Sequence, residues 1–163
     1  MRSKWLGLML LAAGLFALPA RADSCEKVDT TIVTTFFVAG CTSPVGVCTQ
    51  GLIASGPLAG TTRFTALTLA PGPTPDVLVY TGELVITTED GTVTIHDRGF
   101  SNTATGQFFE LEKVDAGTGE YRNASGLLTS QGLASATGFA GTITGRICRA
   151  RYDEGRDEDR DED

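Results

Sequence analysis

The sequence predicts an all-β protein built as a sandwich or a barrel. From Thr30 onward the chain is dense in Thr, Val, Ile, Phe and Gly, arranged in short alternating runs that turn residues separate. No stretch shows the periodicity of an amphipathic helix. Asp90 and Gly91 lie between two Thr/Val/Ile runs, which is a strong signal for a hairpin turn with positive φ and hence for antiparallel neighbours.

The first 22 residues predict a cleavable signal peptide. Arg2 and Lys4 precede an apolar run over residues 6–18, and residues 20–22 form the small-x-small pattern that signal peptidase cleaves. The run is shorter than the ~20 residues that a membrane-spanning helix needs, so we expect no membrane span in the mature protein. A lipoprotein anchored at Cys25 is the alternative, but lipidation would leave one of the remaining cysteines unpaired.

Residues 23–152 are expected to fold as one domain with eight strands. The candidate strands are residues 30–39, 49–55, 61–69, 77–88, 92–100, 107–115, 125–133 and 139–148. The proline-rich segment 71–75 is interpreted as a connection, since proline cannot donate a hydrogen bond to a sheet. Residues 153–163 contain eight acidic residues and no apolar one, which predicts a disordered tail. A cation site is the alternative for that tail, although it lacks the ligand spacing of a calcium loop.

Charge and motifs argue against several classes of function. Loss of the three basic residues before position 23 takes the formal charge from 7 negative to 10 negative, and no basic cluster is present, so no nucleic-acid partner is expected. The chain has no nucleophile elbow, zinc-protease helix, phosphate loop or dinucleotide fingerprint, and His96 is its only histidine. We therefore expect no metal and no cofactor.

The four cysteines predict two disulfides in an exported protein, periplasmic or extracellular. All of them follow the signal peptide, and disulfides form and persist in oxidising compartments. Of the three possible pairings we favour Cys41 with Cys48, which closes a short loop, and Cys25 with Cys148, which joins the chain ends. A metal site is the alternative, but the spacing is not that of a zinc motif.

Side chains that carry chemistry occur inside the candidate strands. Eight strands are enough to close a barrel whose interior is either filled or holds one small ligand. Tyr80 shares a face with apolar neighbours, and Glu110 and Glu112 share a face with Phe108 and Val114. If these acids point into a cavity, burial would raise their pKa and suit acid or base work; the alternative is that they face water. The ionisable residues within candidate strands are Glu83, Asp97, Arg98, Glu110 and Glu112.

Residues 117–126, Gly-Thr-Gly-Glu-Tyr-Arg-Asn-Ala-Ser-Gly, resemble the G-T-G-x-aromatic-R-x-A-x-G motif of dirigent proteins, and a similar segment marks allene oxide cyclase-like barrels. Residues 80–148 look like bacterial members of that superfamily. The resemblance implies an eight-stranded antiparallel β-barrel, often a trimer, that holds a hydrophobic molecule without metal or cofactor, with Tyr121 covering one end of the barrel. The positions of ionisable and aromatic residues within the candidate strands, together with Tyr121 of the motif, give the expected ligand-binding residues: Tyr80, Glu83, Arg98, Glu110, Glu112 and Tyr121.

Three functions remain open at this point. The first is an exported barrel that binds a small hydrophobic molecule in its cavity. The second is a cofactor-independent cyclase or isomerase in which Glu110, Glu112 or Arg98 polarises a substrate. The third is a structural module with a filled barrel, whose outer apolar face assembles a homo-oligomer, either a dimer or a trimer.

Overall fold

The computed structural model describes residues 24–150, which form eight β-strands and one short 3-10 helix. The strands are β1 Ser24–Phe36, β2 Cys48–Ile53, β3 Gly60–Pro71, β4 Val77–Thr88, β5 Gly91–Asn102, β6 Gln107–Gly117, β7 Ser125–Ala134 and β8 Phe139–Arg149. The helix η1, Gly119–Tyr121, connects β6 to β7. Within this part of the chain no helix is long and apolar enough to cross a membrane. The predicted signal peptide and acidic tail lie outside the described residues.

The eight strands close into an antiparallel barrel. Each strand pairs with its neighbours in sequence, and β8 pairs with β1 to complete the circle. The predicted eight-stranded antiparallel barrel is therefore confirmed. The first strand begins at Ser24 rather than at residue 30, because its opening residues pair with the end of β8, where Ser24 lies opposite Arg149. In such a barrel alternate side chains of every strand point inward and outward.

The β4–β5 hairpin is confirmed, with its turn one residue earlier than expected. Thr88 pairs with Gly91, so Glu89 and Asp90 form the two-residue loop. Gly91 has a φ of 140°. A Cβ atom there would lie 2.2 Å from the carbonyl oxygen of Thr118. Glycine is thus required both by the backbone conformation and by the close approach of the segment before η1.

Two disulfides tie the barrel together, and both predicted pairings are confirmed. Cys25 and Cys148 lie opposite each other on β1 and β8, and their bond joins the two strands that close the barrel. The Cys41–Cys48 bond fastens the loop that leads into β2. No cysteine in the described part of the chain is free. This complete pairing indicates a non-reducing environment.

One half of the barrel interior is an apolar core. Tyr121 from η1 is fully buried in it, its hydroxyl donates a hydrogen bond to the carbonyl of Pro57, and the guanidinium of Arg149 lies 5.3 Å from its ring centre. Tyr121 therefore plugs the end of the barrel that carries the β4–β5 turn. The buried members of the core are Val28, Ile32, Ile53, Leu58, Leu84, Ile86, Val93, Ile95, Val114, Tyr121, Ala124, Leu128, Ile143 and Ile147.

Part of the outer face of the barrel is apolar as well. Val79, Phe100 and Phe109 lie side by side on β4, β5 and β6, and the two phenylalanine rings stack with centroids 5.9 Å apart. Leu111 follows on β6 and is 57% exposed. Both faces of β4 thus carry apolar side chains, as its sequence pattern indicates.

Candidate functional site

The other half of the interior is polar, and three adjacent strands build it. On β5 and β6 the inward positions include Asp97, Glu110 and Glu112, with Asp97 paired to Glu112 and Gly99 paired to Glu110. On β4, Tyr80 lies opposite Gly99 and points to the same side. We call Asp97, Glu110 and Glu112 the acidic cluster. One oxygen from each of these three side chains lies within 4.8 Å of one oxygen from each of the others.

Gly99 provides the space in which Tyr80 and Glu110 meet. A Cβ atom at this position would lie 2.8 Å from Cζ of Tyr80 and 2.8 Å from Cγ of Glu110. Gly82 has the same relation to Phe64, whose ring would lie 2.1 Å from an added Cβ. Small residues on one strand therefore accommodate large side chains on the next, which lets the rings and the acids pack side by side in the barrel interior.

The hydrogen bonds of the site leave two carboxyl oxygens without a partner. The Tyr80 hydroxyl donates to Oε1 of Glu110 at 2.8 Å, and the Ser130 hydroxyl donates to Oε1 of Glu112. Oδ1 of Asp97 and Oε2 of Glu112 are buried and make no hydrogen bond with the described residues. Both residues are only 2% exposed. Unsatisfied buried oxygens of this kind are rare in native proteins, because each carries a desolvation cost.

Burial raises the pKa of every ionisable group in the site. It raises the pKa of Glu110 to about 7, against a smaller lowering effect of the hydrogen bond from Tyr80. Burial and then the charge of Glu110 raise the pKa of Glu112 to about 8. Burial, followed by the charges of Glu112 and Glu110, raises the pKa of Asp97 well above its usual value. The pKa of Tyr80 is raised for the same reason, so its hydroxyl stays a donor.

Among residues 24–150, no basic side chain lies inside the barrel to offset these acids. None of the lysine, arginine and histidine residues in the described part of the chain is buried. Buried carboxylates are normally paired with a base or a metal, or else protonated. The acidic cluster therefore has the composition of a proton-sharing group or of a site for a cationic ligand.

The cluster borders a small cavity in the barrel interior that aromatic rings line. The cavity has a volume of about 40 Å³, enough for one or a few waters. Phe108 and Phe139 line it, and their ring centroids lie 5.3 Å apart; Phe36, which is 40% exposed, lies 5.3 Å from Phe139 on the outer side. We call Phe36, Phe108 and Phe139 the aromatic cap. The lining residues are Ile32, Thr34, Thr49, Phe64, Tyr80, Leu84, Asp97, Phe108, Glu110, Glu112 and Phe139.

The predicted site residues fall into three places. Tyr80, Glu110 and Glu112 come together at the cavity. Glu83 and Arg98 lie on the outer face of β4 and β5, because they alternate with the inward residues. Tyr121 lies in the apolar core at the opposite end of the barrel from the aromatic cap.

Two members of the site were outside the predicted binding set. Asp97 belongs to the acidic cluster, and a signal for it exists in the sequence, since it lies on the same face of β5 as the apolar Val93 and Ile95. Ser130 also lies inside the barrel, where it donates to Glu112. Nothing in the local sequence distinguishes Ser130 from the outward serines and threonines around it.

Comparison with known proteins gives no further guide, because no family model, no curated protein and no solved structure matches this chain.

Proposed function

We propose that this protein is an exported barrel that binds a small, largely apolar molecule inside its polar half, next to the aromatic cap. The observation that carries the proposal is the buried acidic cluster, two of whose oxygens lack partners beside a cavity lined by phenylalanine rings. Rings of this kind would contact the apolar body of a ligand, and the carboxyls would fix its polar group. The disulfides support an exported location, periplasmic or extracellular.

Binding would require the aromatic cap to open. Pockets that hold ligands of ordinary size enclose roughly 300–1,000 Å³, far more than the volume of about 40 Å³ beside the acidic cluster. Phe36 and Phe139 lie at the end of β1 and the start of β8, and both keep some exposure. Rotation of exposed side chains takes nanoseconds or less and needs no change in the barrel strands. The cap is therefore the natural entrance.

The energetics of the acidic cluster also favour a binding role. Three buried carboxyl groups without a base destabilise the folded protein, whereas apolar residues of the same size would stabilise it. Perturbed groups of this kind concentrate at functional sites. The opposite half of the same barrel is filled with aliphatic side chains, so the fold itself does not require polar residues inside.

A cofactor-independent cyclase or isomerase is the second candidate, and the position of the acids favours it. Glu110 and Glu112 lie inside the barrel, shielded from bulk water, and carboxyl groups with pKa values of about 7 and 8 can donate and accept protons near neutral pH. Arg98 is on the outer face and would take no part. The dirigent-like segment 117–126 lies at the end closed by Tyr121, so it would support the barrel and not the reaction.

A structural module remains the third candidate. The apolar outer row of Val79, Phe100, Phe109 and Leu111 would serve as the contact between subunits of a dimer or trimer. Light scattering on the purified protein measures its mass, and a monomer at micromolar concentration contradicts this candidate.

Native mass spectrometry and NMR together test the binding proposal. We expect protein purified from its producing cell to retain one small molecule per chain, or to bind one from a panel of apolar compounds. Amide signals around the acidic cluster and the aromatic cap should then shift, while those around Tyr121 stay in place. If nothing binds, or if shifts occur only on the outer face, the proposal is wrong.

Deuterium transfer separates a binding protein from an enzyme. A barrel that catalyses proton transfer should exchange carbon-bound hydrogen of its bound molecule with deuterium from D₂O, and Glu110→Gln should suppress that exchange. Retention of the molecule without any exchange would leave simple binding as the function.

A further inference from the structure

We propose that the molecule taken up by the barrel is a primary amine on an apolar body, whose ammonium group is held by Asp97, Glu110 and Glu112. This inference rests on the proposed function and names the chemical class of its ligand.

The charge of the interior selects a cation. Three acids line the cavity, and no lysine, arginine or histidine in the described part of the chain is buried. An anionic ligand would add a further negative charge to a poorly solvated site, at a high electrostatic cost. A neutral ligand would leave the carboxyl groups without compensation. A positively charged ligand avoids the electrostatic cost of the anion and also compensates the carboxyl groups.

The geometry of the acidic cluster suits an ammonium group. A primary ammonium presents three N–H donors, and acceptors placed ~2.8 Å from its nitrogen in tetrahedral directions are about 4.6 Å apart. Oxygens of the three carboxyl groups lie within 4.8 Å of one another. Oδ1 of Asp97 and Oε2 of Glu112, both buried and without partners, are acceptors that such donors would satisfy.

The aromatic residues suit an organic cation. Phe64, Tyr80, Phe108 and Phe139 border the same cavity as the acids. Ring faces attract ammonium groups and also pack against hydrocarbon. An amine with its charged end at the acidic cluster would place its apolar body among the rings of the aromatic cap, along the proposed entrance.

A divalent metal ion fits the same cavity less well. Calcium takes six to eight oxygen ligands, and magnesium takes six and usually keeps several waters. Oε1 of Glu110 and Oε1 of Glu112 already accept hydrogen bonds from Tyr80 and Ser130. The strand carbonyls around the site are used in the ladders of the barrel, so few further oxygens are left to complete the coordination shell of a metal ion.

The protonation of the acidic cluster is consistent with a ligand that carries a single positive charge. With the pKa of Glu110 at about 7, that of Glu112 at about 8 and that of Asp97 raised, the cluster carries less than its full negative charge at neutral pH. A monovalent ligand can neutralise what remains, whereas a divalent ion would have to displace further protons.

Calorimetry with matched probes tests the inference on the full, disulfide-bonded chain. Benzylamine and benzyl alcohol have nearly the same shape and differ in charge, and calcium chloride serves as the metal probe. We expect benzylamine to bind at least tenfold more tightly than benzyl alcohol near pH 7, because charge-assisted hydrogen bonds replace neutral ones. Glu112→Gln should weaken the binding of benzylamine at least tenfold. Glu89→Gln, the same change in the exposed β4–β5 turn, should leave it unaltered.

Each result decides a different point. If benzyl alcohol binds inside the barrel as tightly as benzylamine, the barrel takes apolar molecules but the amine inference is wrong. If neither probe binds, the amine inference is wrong, and the proposed function fails with it only if native mass spectrometry also finds no bound apolar molecule. If calcium binds more tightly than benzylamine, and Glu112→Gln abolishes the binding of calcium, the acidic cluster is a metal site and the inference is overturned. The comparison of probes on the unaltered protein decides the matter even if the variant does not fold.

Discussion

Glu112→Gln should make the protein more stable near neutral pH, although it removes a hydrogen-bonded side chain from the barrel interior. Burial and the neighbouring Glu110 raise the pKa of Glu112 from 4.5 to about 8. The folded protein therefore holds a proton on Glu112 that the unfolded chain releases above pH 4.5. The stability from this group is fully present below pH 4.5 and is lost as the pH rises to about 8. Glutamine is neutral at every pH and still offers Ser130 an acceptor.

The size of the effect follows from proton linkage. Where the folded state binds one proton more than the unfolded state, the free energy of unfolding falls by ~1.4 kcal/mol for each unit by which the pH rises. Between pH 5.5 and pH 7.5 the wild-type protein should therefore lose roughly 2–3 kcal/mol that the Glu112→Gln variant retains. This value is a difference between two pH conditions, so any fixed cost of repacking the amide cancels.

Urea unfolding with intact disulfides and a metal chelator present measures this difference. Wild type, Glu112→Gln and the exposed control Glu89→Gln are compared at both pH values, and equal denaturant slopes are required for the comparison. The control should follow the wild type. If the stability difference between wild type and Glu112→Gln is the same at both pH values, Glu112 does not carry a raised pKa, and the account of the acidic cluster is wrong.

Three further changes test other parts of the structure. Gly99→Ala should disrupt the hydrogen bond of Tyr80 and lower stability by about 1–3 kcal/mol, since its Cβ would lie 2.8 Å from the tyrosine ring; urea unfolding and benzylamine calorimetry show both effects. Replacing Cys25 and Cys148 by serine opens a link across 123 residues and should cost about 5 kcal/mol, seen as a lower melting temperature. Phe139→Ala should lower stability by about 2–4 kcal/mol but speed ligand entry in stopped-flow measurements, and an unchanged entry rate would contradict the role of the cap.

The fold was largely predictable because inward and outward side chains alternate along most of its strands. On β6, every second side chain faces inward, namely those of Phe108, Glu110, Glu112 and Val114. The start of β1 was not predictable from its own residues, since Lys27 and Asp29 are charged and there is no local reason to extend the strand. These residues face water, and the partner that makes them a strand, β8, is distant in sequence.

The site was only partly predictable because the sequences of two strands, β4 and β5, do not make it obvious which side chains point into the barrel. On β4 both faces are apolar, so Glu83 beside Val85 gives no sign that it points outward. On β5, Val93 and Ile95 face inward, so alternation predicts that Asp97 also faces inward and that Arg98 faces outward. What no single strand reveals is which inward residues meet. The register that places Asp97 opposite Glu112 depends on an irregularity between Thr94 and Ile95, and it becomes visible only in the closed barrel.

The contrast between the two halves of the barrel supports the proposal that the acidic cluster has a function. Aliphatic packing, the plug of Tyr121 and the Cys25–Cys148 bond stabilise one end of the barrel, whereas the interior of the other end contains three acids. If the cluster had only to fill space, leucine or methionine at the positions of Asp97 and Glu112 would serve better, since such replacements often stabilise a core. A double substitution of this kind should therefore raise the melting temperature while abolishing amine binding. A loss of folding instead would assign the acids a structural role.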